Sequence, residues 1–146
     1  MNPNIKPSEQ IALLTVLNPK SQSADTVLTS WVSLANAGAA LAVIKTGVLG
    51  TSATVDAKLQ QATDSSGTGA KDITGKAITQ LVKASNDNDQ AMINCRADEL
   101  DADNGFTHVA LSVTVGTAAC LIDAEIWGFY PRYQPLDHVS SVVEKV

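Results

Sequence analysis

Between Thr107 and Val115 the chain alternates with period two: Val109, Leu111, Val113 and Val115 fall on one side, and His108, Ala110, Ser112 and Thr114 on the other. That pattern predicts a half-buried strand. After Gly116-Thr117, Cys120, Ile122, Ala124, Ile126 and Gly128 alternate with Leu121, Asp123, Glu125, Trp127 and Phe129, so a second strand is expected, joined to the first as a hairpin. The same rule marks Thr54–Gln60, with Val55, Ala57 and Leu59 inward, and Gln90–Ala97, with Ala91, Ile93 and Cys95 inward. Ile11–Leu17, ended by Asn18-Pro19, and Ala40–Thr46, ended by Gly47, are apolar runs between turn residues and read as strands by composition. Trp31–Leu34 is a shorter candidate.

Three stretches are rich in turn-forming residues and poor in anything that could fill a core, which predicts surface loops: 64–75, 85–89 and 101–105. The last carries Asn104-Gly105, suited to a tight turn at positive φ. Seven or eight short strands with no strongly amphipathic helix between them predict an all-β fold, a single antiparallel β-sandwich of jelly-roll type. Residues 1–10 form an N-terminal arm in this reading, 11–133 the sandwich and 134–146 a C-terminal tail, the arms being extended.

Composition narrows the function. The 146 residues carry 15 Asp+Glu against 10 Lys+Arg, a net charge of −5, so no basic field draws in nucleic acid. No stretch approaches the roughly 18 consecutive apolar residues of a membrane span, and the N-terminus lacks a signal-peptide pattern, which predicts a soluble chain. Cys95 and Cys120 lie among apolar residues and are expected as buried free thiols.

Candidate chemistry is sparse. Gly67-Thr68-Gly69 and Gly75-Lys76 miss the phosphate-loop spacing, and Ala77 stands where that loop needs a hydroxyl. Glu99, Asp101 and Asp103 alternate like calcium ligands, but Asn104 and Ala110 stand where an EF-hand needs Gly and Glu. His108 and His138 have no nucleophile elbow to serve. Asp123 and Glu125 lie roughly 7 Å apart on one strand face, a spacing compatible with glycosidase carboxylates, but without a flanking aromatic platform the pair is more simply an outward charged face. No cofactor or metal is expected, and the reading is of a protein that is not an enzyme.

Four of the six aromatics, Trp127, Phe129, Tyr130 and Tyr133, cluster within seven residues together with Arg132. They close the bottom of the sandwich, or they form an anchor patch for a protein partner or a glycan.

The run Lys45–Asp64, the segment Gly67–Gly75, and Gly105–Val109, Val115–Ala118 and Gly128–Tyr133 resemble small structural proteins encoded in tailed-phage and prophage morphogenesis regions. The resemblance covers roughly Ile11 to Tyr133 and is to head decoration, or cement, proteins. It implies a virion component on the outer head surface, made in the host cytoplasm, with the major capsid protein and further copies of itself as partners; a trimer is the expectation from symmetry alone, not from the resemblance. The arm Asn2–Gln10 and the loop Ser65–Gly75 are the segments it would use. A vertex-spike base or a tail or fibre-associated module that binds a host glycan or another virion protein is the alternative.

Overall fold

In a computed structural model that describes residues 2–146, the chain forms ten strands, one short helix and two 3₁₀ turns. Met1, the first residue of the expected arm, lies outside the described residues. The strands are β1 (Ala12–Gln22), β2 (Asp25–Leu28), β3 (Val32–Ser33), β4 (Ala37–Leu49), β5 (Thr54–Ala62), β6 (Lys71–Ala77), β7 (Leu81–Val82), β8 (Gln90–Arg96), β9 (His108–Gly116) and β10 (Cys120–Pro131). Helix α1 spans Pro7–Gln10. No helix among the described residues is long and apolar enough to cross a membrane.

One sheet has the order β1-β10-β4-β8; the other has β2-β9-β5-β6, with β3 beside β9 and β7 beside β5. Every pairing is antiparallel. The pairs β1·β10, β2·β9, β4·β8 and β5·β6 nest inside one another, as in a single long hairpin whose tip is the β5–β6 loop. Successive pairs fall in alternate sheets, so that hairpin is wrapped around a core, which is the jelly roll.

The expected β9–β10 hairpin is not formed. β9 pairs with β2, β3 and β5, whereas β10 pairs with β1 and β4, so the two strands face each other across the core. The turn between them, with Thr117 at φ 71° and the Ala118 N–H on Gly116 O, carries the chain from one sheet to the other. β9 is also buried on both faces along Val109–Val113, because its outward residues, Ala110 and Ser112, are small and flanked by the longer Gln60 and Lys58 of β5.

Two strands run past the stops expected for them. β1 continues through Asn18-Pro19 by a register shift between Leu17 and Lys20, which an edge strand tolerates because its outer N–H has no ladder partner to lose. β4 continues through Gly47, whose missing side chain is required by a neighbour rather than by a turn: a Cβ there would lie 2.9 Å from Leu121 Cβ. The expected loop 64–75 contains the start of β6, and its remainder is ordered by Asp64, whose carboxylate accepts the N–H groups of Ser66 and Thr68.

The core is aliphatic. Ile44, Leu49, Ile122 and Ile126 of one sheet meet Val55, Leu59, Val109, Leu111 and Val113 of the other, and no aromatic residue belongs to it among the described residues. Cys95 and Cys120 are buried free thiols, as expected. Burial pushes the Cys95 thiol up to about 11, with the Glu99 charge adding to the rise.

Both chain ends fold onto the β1 end of the first sheet. The buried Gln10 amide takes the Asn2 N–H and donates to the carbonyls of Asn2 and Ile5. In the tail, Leu136 is buried, the Val139 N–H donates to Leu13 O, and His138 bridges two elements. Its Nε2 faces Ser8 O, which can only accept, so Nε2 donates and Nδ1 is left to accept the Leu13 N–H.

Candidate functional site

β10 carries the candidate residues, and its alternation decides where they point. Cys120, Ile122, Ala124, Ile126 and Gly128 are buried, so Leu121, Asp123, Glu125, Trp127 and Phe129 stand on the outward face of the first sheet. Strand register builds that face into rows. Leu13 of β1, Trp127, Leu41 of β4 and Asn94 of β8 form one row; Val16, Glu125, Val43 and Met92 form the next; Asp123, Lys45 and Gln90 form a third. Leu13, Val16, Leu41, Val43 and Trp127 are half-buried by one another, and Met92 remains 63% exposed.

Within this face Lys45 Nζ lies 3.3 Å from Asp123 and 3.5 Å from Glu125. Partial burial works against the ammonium, but the hydrogen bond to Asp123 and the charges of both carboxylates outweigh it and raise the lysine's pKa. One cation thus holds both acids of the spacing that resembled a glycosidase pair, and the three groups together leave a single net negative charge in an apolar surround.

The five clustered residues do not close the sandwich, because the core beneath them is already filled by aliphatic side chains. Nor do they make one patch. Trp127 belongs to the row between Leu13 and Leu41. At Tyr130 the backbone turns to φ 52°, which breaks the alternation and leaves that ring 69% exposed, 6.3 Å from the Phe129 ring and tilted to it by 49°. Phe129 and Tyr130 form a wall between two depressions. One, of about 390 Å³, is lined by Asn2, Gln10, Ile11, Pro131 and Gln134; the other, of about 430 Å³, lies on the outward face by Leu41, Asn94 and Arg96.

Asn36 holds the following backbone, since its Oδ1 accepts the Tyr133 N–H, its Nδ2 donates to Tyr133 O, and its carbonyl takes the Arg132 N–H. The Tyr133 ring is left exposed, while Arg132 lies on a separate depression with Leu34, Leu100 and Phe106.

The remaining candidates are tied into the fold. Asp101 is bonded by Lys71 and Asn104, and Glu99 by the Arg96 N–H and Lys76, which lowers the pKa of both carboxyls. No group of three His, Cys, Asp or Glu among the described residues is placed to hold a metal ion. His108 Nδ1 lies 2.9 Å from the hydroxyl of its neighbour Thr107.

Leu13, Val16, Leu41, Val43 and Met92 were not singled out by sequence reading. The signal was present in Ala39–Ile44, where both alternating sets are apolar, the pattern of a strand covered on both faces.

No family model matches the chain, nor does any curated protein. Among solved structures it is similar to a chain of the cowpea mosaic virus top component, naturally occurring empty particles, with a TM-score of 0.41 and 11% identity over 93% of this chain and 90% of that one. It is also similar to a chain of an empty virus-like particle of cowpea mosaic virus, with a TM-score of 0.40 and 12% identity over 99% and 94%. The jelly-roll assignment rests on the strand order described above.

Proposed function

We propose that the chain is a structural virion protein that decorates and stabilises a tailed-phage capsid from the outer head surface, with the major capsid protein and copies of itself as partners. One observation carries the reading: the outward face of β1-β10-β4-β8, where a solvated sheet face would be polar, presents Leu13, Val16, Trp127, Leu41, Val43 and Met92 beside an ion-paired Lys45–Asp123–Glu125 centre. Such a face stabilises an assembly when covered, by about 25 cal/mol per Å² of apolar surface removed from water. It asks for no catalytic group. The sequence resemblance to phage decoration proteins supplies the virion setting, and a net charge of −5 suits a protein outside the shell.

The test is binding of the purified chain to undecorated heads of the phage or prophage that carries it, read by co-sedimentation. Leu41→Asp and Val43→Asp change outward side chains only, and unchanged circular dichroism is the control of fold. The reading expects both to abolish binding; undiminished binding in both would overturn it.

A second reading is favoured by one feature. The depression lined by Phe129, Tyr130 and Pro131 with the Asn2 and Gln134 amides combines ring faces with hydrogen-bonding groups, as a glycan site on a vertex-spike base or a tail or fibre-associated module would. A glycan array decides it: selective binding lost in Phe129→Ala and Tyr130→Ala supports this reading, and a blank array removes it.

A further inference from the structure

Antiparallel sheets end in edges, and an edge with free N–H and C=O groups is a template for another strand unless something protects it. Three of the four edges here are protected. β1 has two register shifts and Pro19, and the tail occupies its Leu13 N–H and C=O. β2 is four residues long and begins at Asp25, and β6 carries Lys71, Asp72 and Lys76. The fourth edge, β8, has no such device. Its seven residues pair with β4 without a register shift, and Arg96, at its very end, is its one charge.

The ladder shows which groups are free. The Thr46 N–H bonds Asp89 O, one residue before β8, so with antiparallel alternation Ala91, Ile93 and Cys95 aim their backbone groups at β4. Gln90, Met92, Asn94 and Arg96 aim theirs away. Consistent with this, the Arg96 N–H is taken by the Glu99 carboxylate, off the ladder. The N–H groups of Gln90, Met92 and Asn94 have no partner among the described residues.

We infer that β8 pairs antiparallel with β8 of a second copy of this chain about a two-fold axis centred on Ile93, joining two first sheets into one. The strand is self-complementary in that register. Met92 and Asn94 lie opposite Asn94 and Met92 of the second copy and exchange both of their backbone bonds, and the Gln90 N–H reaches the Arg96 carbonyl of the other strand. The antiparallel register also sets Arg96 opposite the neutral Gln90 of the second copy, so no like charges lie directly opposite one another along the joined strands. The outward rows ending in Met92 and Asn94 become continuous across the axis. This inference does not depend on the virion reading.

Sedimentation velocity on the full chain across a concentration series tests it. The wild type is expected as a reversible dimer. Met92→Lys with Asn94→Lys sets like charges directly opposite one another twice, and the dimer dissociation constant is expected to rise at least about tenfold. Met92→Lys with Asn94→Glu sets opposite charges there instead and restores the dimer. Met92→Pro removes an N–H that the monomer does not use and also dissociates the dimer, with circular dichroism as the control of fold. Hydrogen exchange on the unmodified chain needs no variant: the Met92 and Asn94 amides gain protection as concentration rises. A wild type that stays monomeric, a dimer or trimer unaffected by the double-lysine change, or equal dissociation in both double variants would each overturn the inference.

Discussion

Gly67, in the β5–β6 loop, and Gly75, in β6, both take a positive φ, 82° and 76°, but in different surroundings. A Cβ on Gly75 would meet nothing within 4 Å; on Gly67 it would lie 2.4 Å from Trp31 Nε1 and 2.8 Å from Trp31 Cε2. Gly75→Ala therefore incurs only the left-handed backbone penalty, about 1 kcal/mol, or about 3 °C in Tm for a chain of this size. Gly67→Ala incurs the same penalty and must also displace an indole, an overpacking cost of about 2 kcal/mol, for a total near 9 °C. Thermal unfolding followed by circular dichroism measures both. Repeating Gly67→Ala in a Trp31→Ala background removes the obstacle, and its cost should fall to that of Gly75→Ala. If Gly67→Ala costs the same with and without Trp31, the tip of the long hairpin is not packed as described.

Three further outcomes follow from the same packing and charges. Asp64, Asp72, Asp87, Glu99 and Asp101 all have lowered carboxyl pKa values, through the Thr68 hydrogen bonds, Lys58 and Gln60, Lys83 and the Leu49 N–H, the Arg96 N–H and Lys76, and Lys71 and Asn104 respectively. Groups depressed in the folded state add stability above their unfolded values, near 4, and lose it as pH falls through the folded ones. Urea midpoints should hold from pH 7 to about 5 and drop below about 4; a midpoint unchanged at pH 3 would contradict the pairings. Cys95 and Cys120 should be silent to a thiol reagent at neutral pH and both react on unfolding, whereas fast labelling of the native chain would contradict their burial. Leu111→Ala, at a fully buried position facing the opposite sheet, should cost about 3 kcal/mol in denaturant titration, and a loss below about 1 kcal/mol would contradict the core described.

How much of this could be read from the chain depended on range. Alternation along β5, β8 and β10 is local, and the buried sets Val55–Leu59, Ile93–Cys95 and Cys120–Ile126 are the ones it predicts. Partner choice is not local. β9 and β10 each turn one alternating aliphatic set to the core, and two such strands can satisfy that by pairing or by facing across a core. Only the wrapped hairpin, whose outermost pair joins β1 to β10, selects facing. Pro19 and Gly47 misled for the same reason: they mark turns in isolation, yet here one lies on an edge and the other beneath Leu121. The aromatic cluster was visible as a run in sequence, but the positive φ at Tyr130 and the grip of Asn36 on Arg132 and Tyr133 split it across three places on the surface. The outward face was harder to see, because its members are ordinary aliphatic residues from four strands that only register brings into rows.

Electron cryo-microscopy of virions that carry this chain tests the central claim most directly. The account predicts jelly-roll density repeated over the outer lattice of the head, with the rows of Leu13, Trp127, Leu41 and Met92 turned into a protein contact. Density confined to vertices or tail, or a head-lattice copy whose β1-β10-β4-β8 face looks out to solvent, would contradict it.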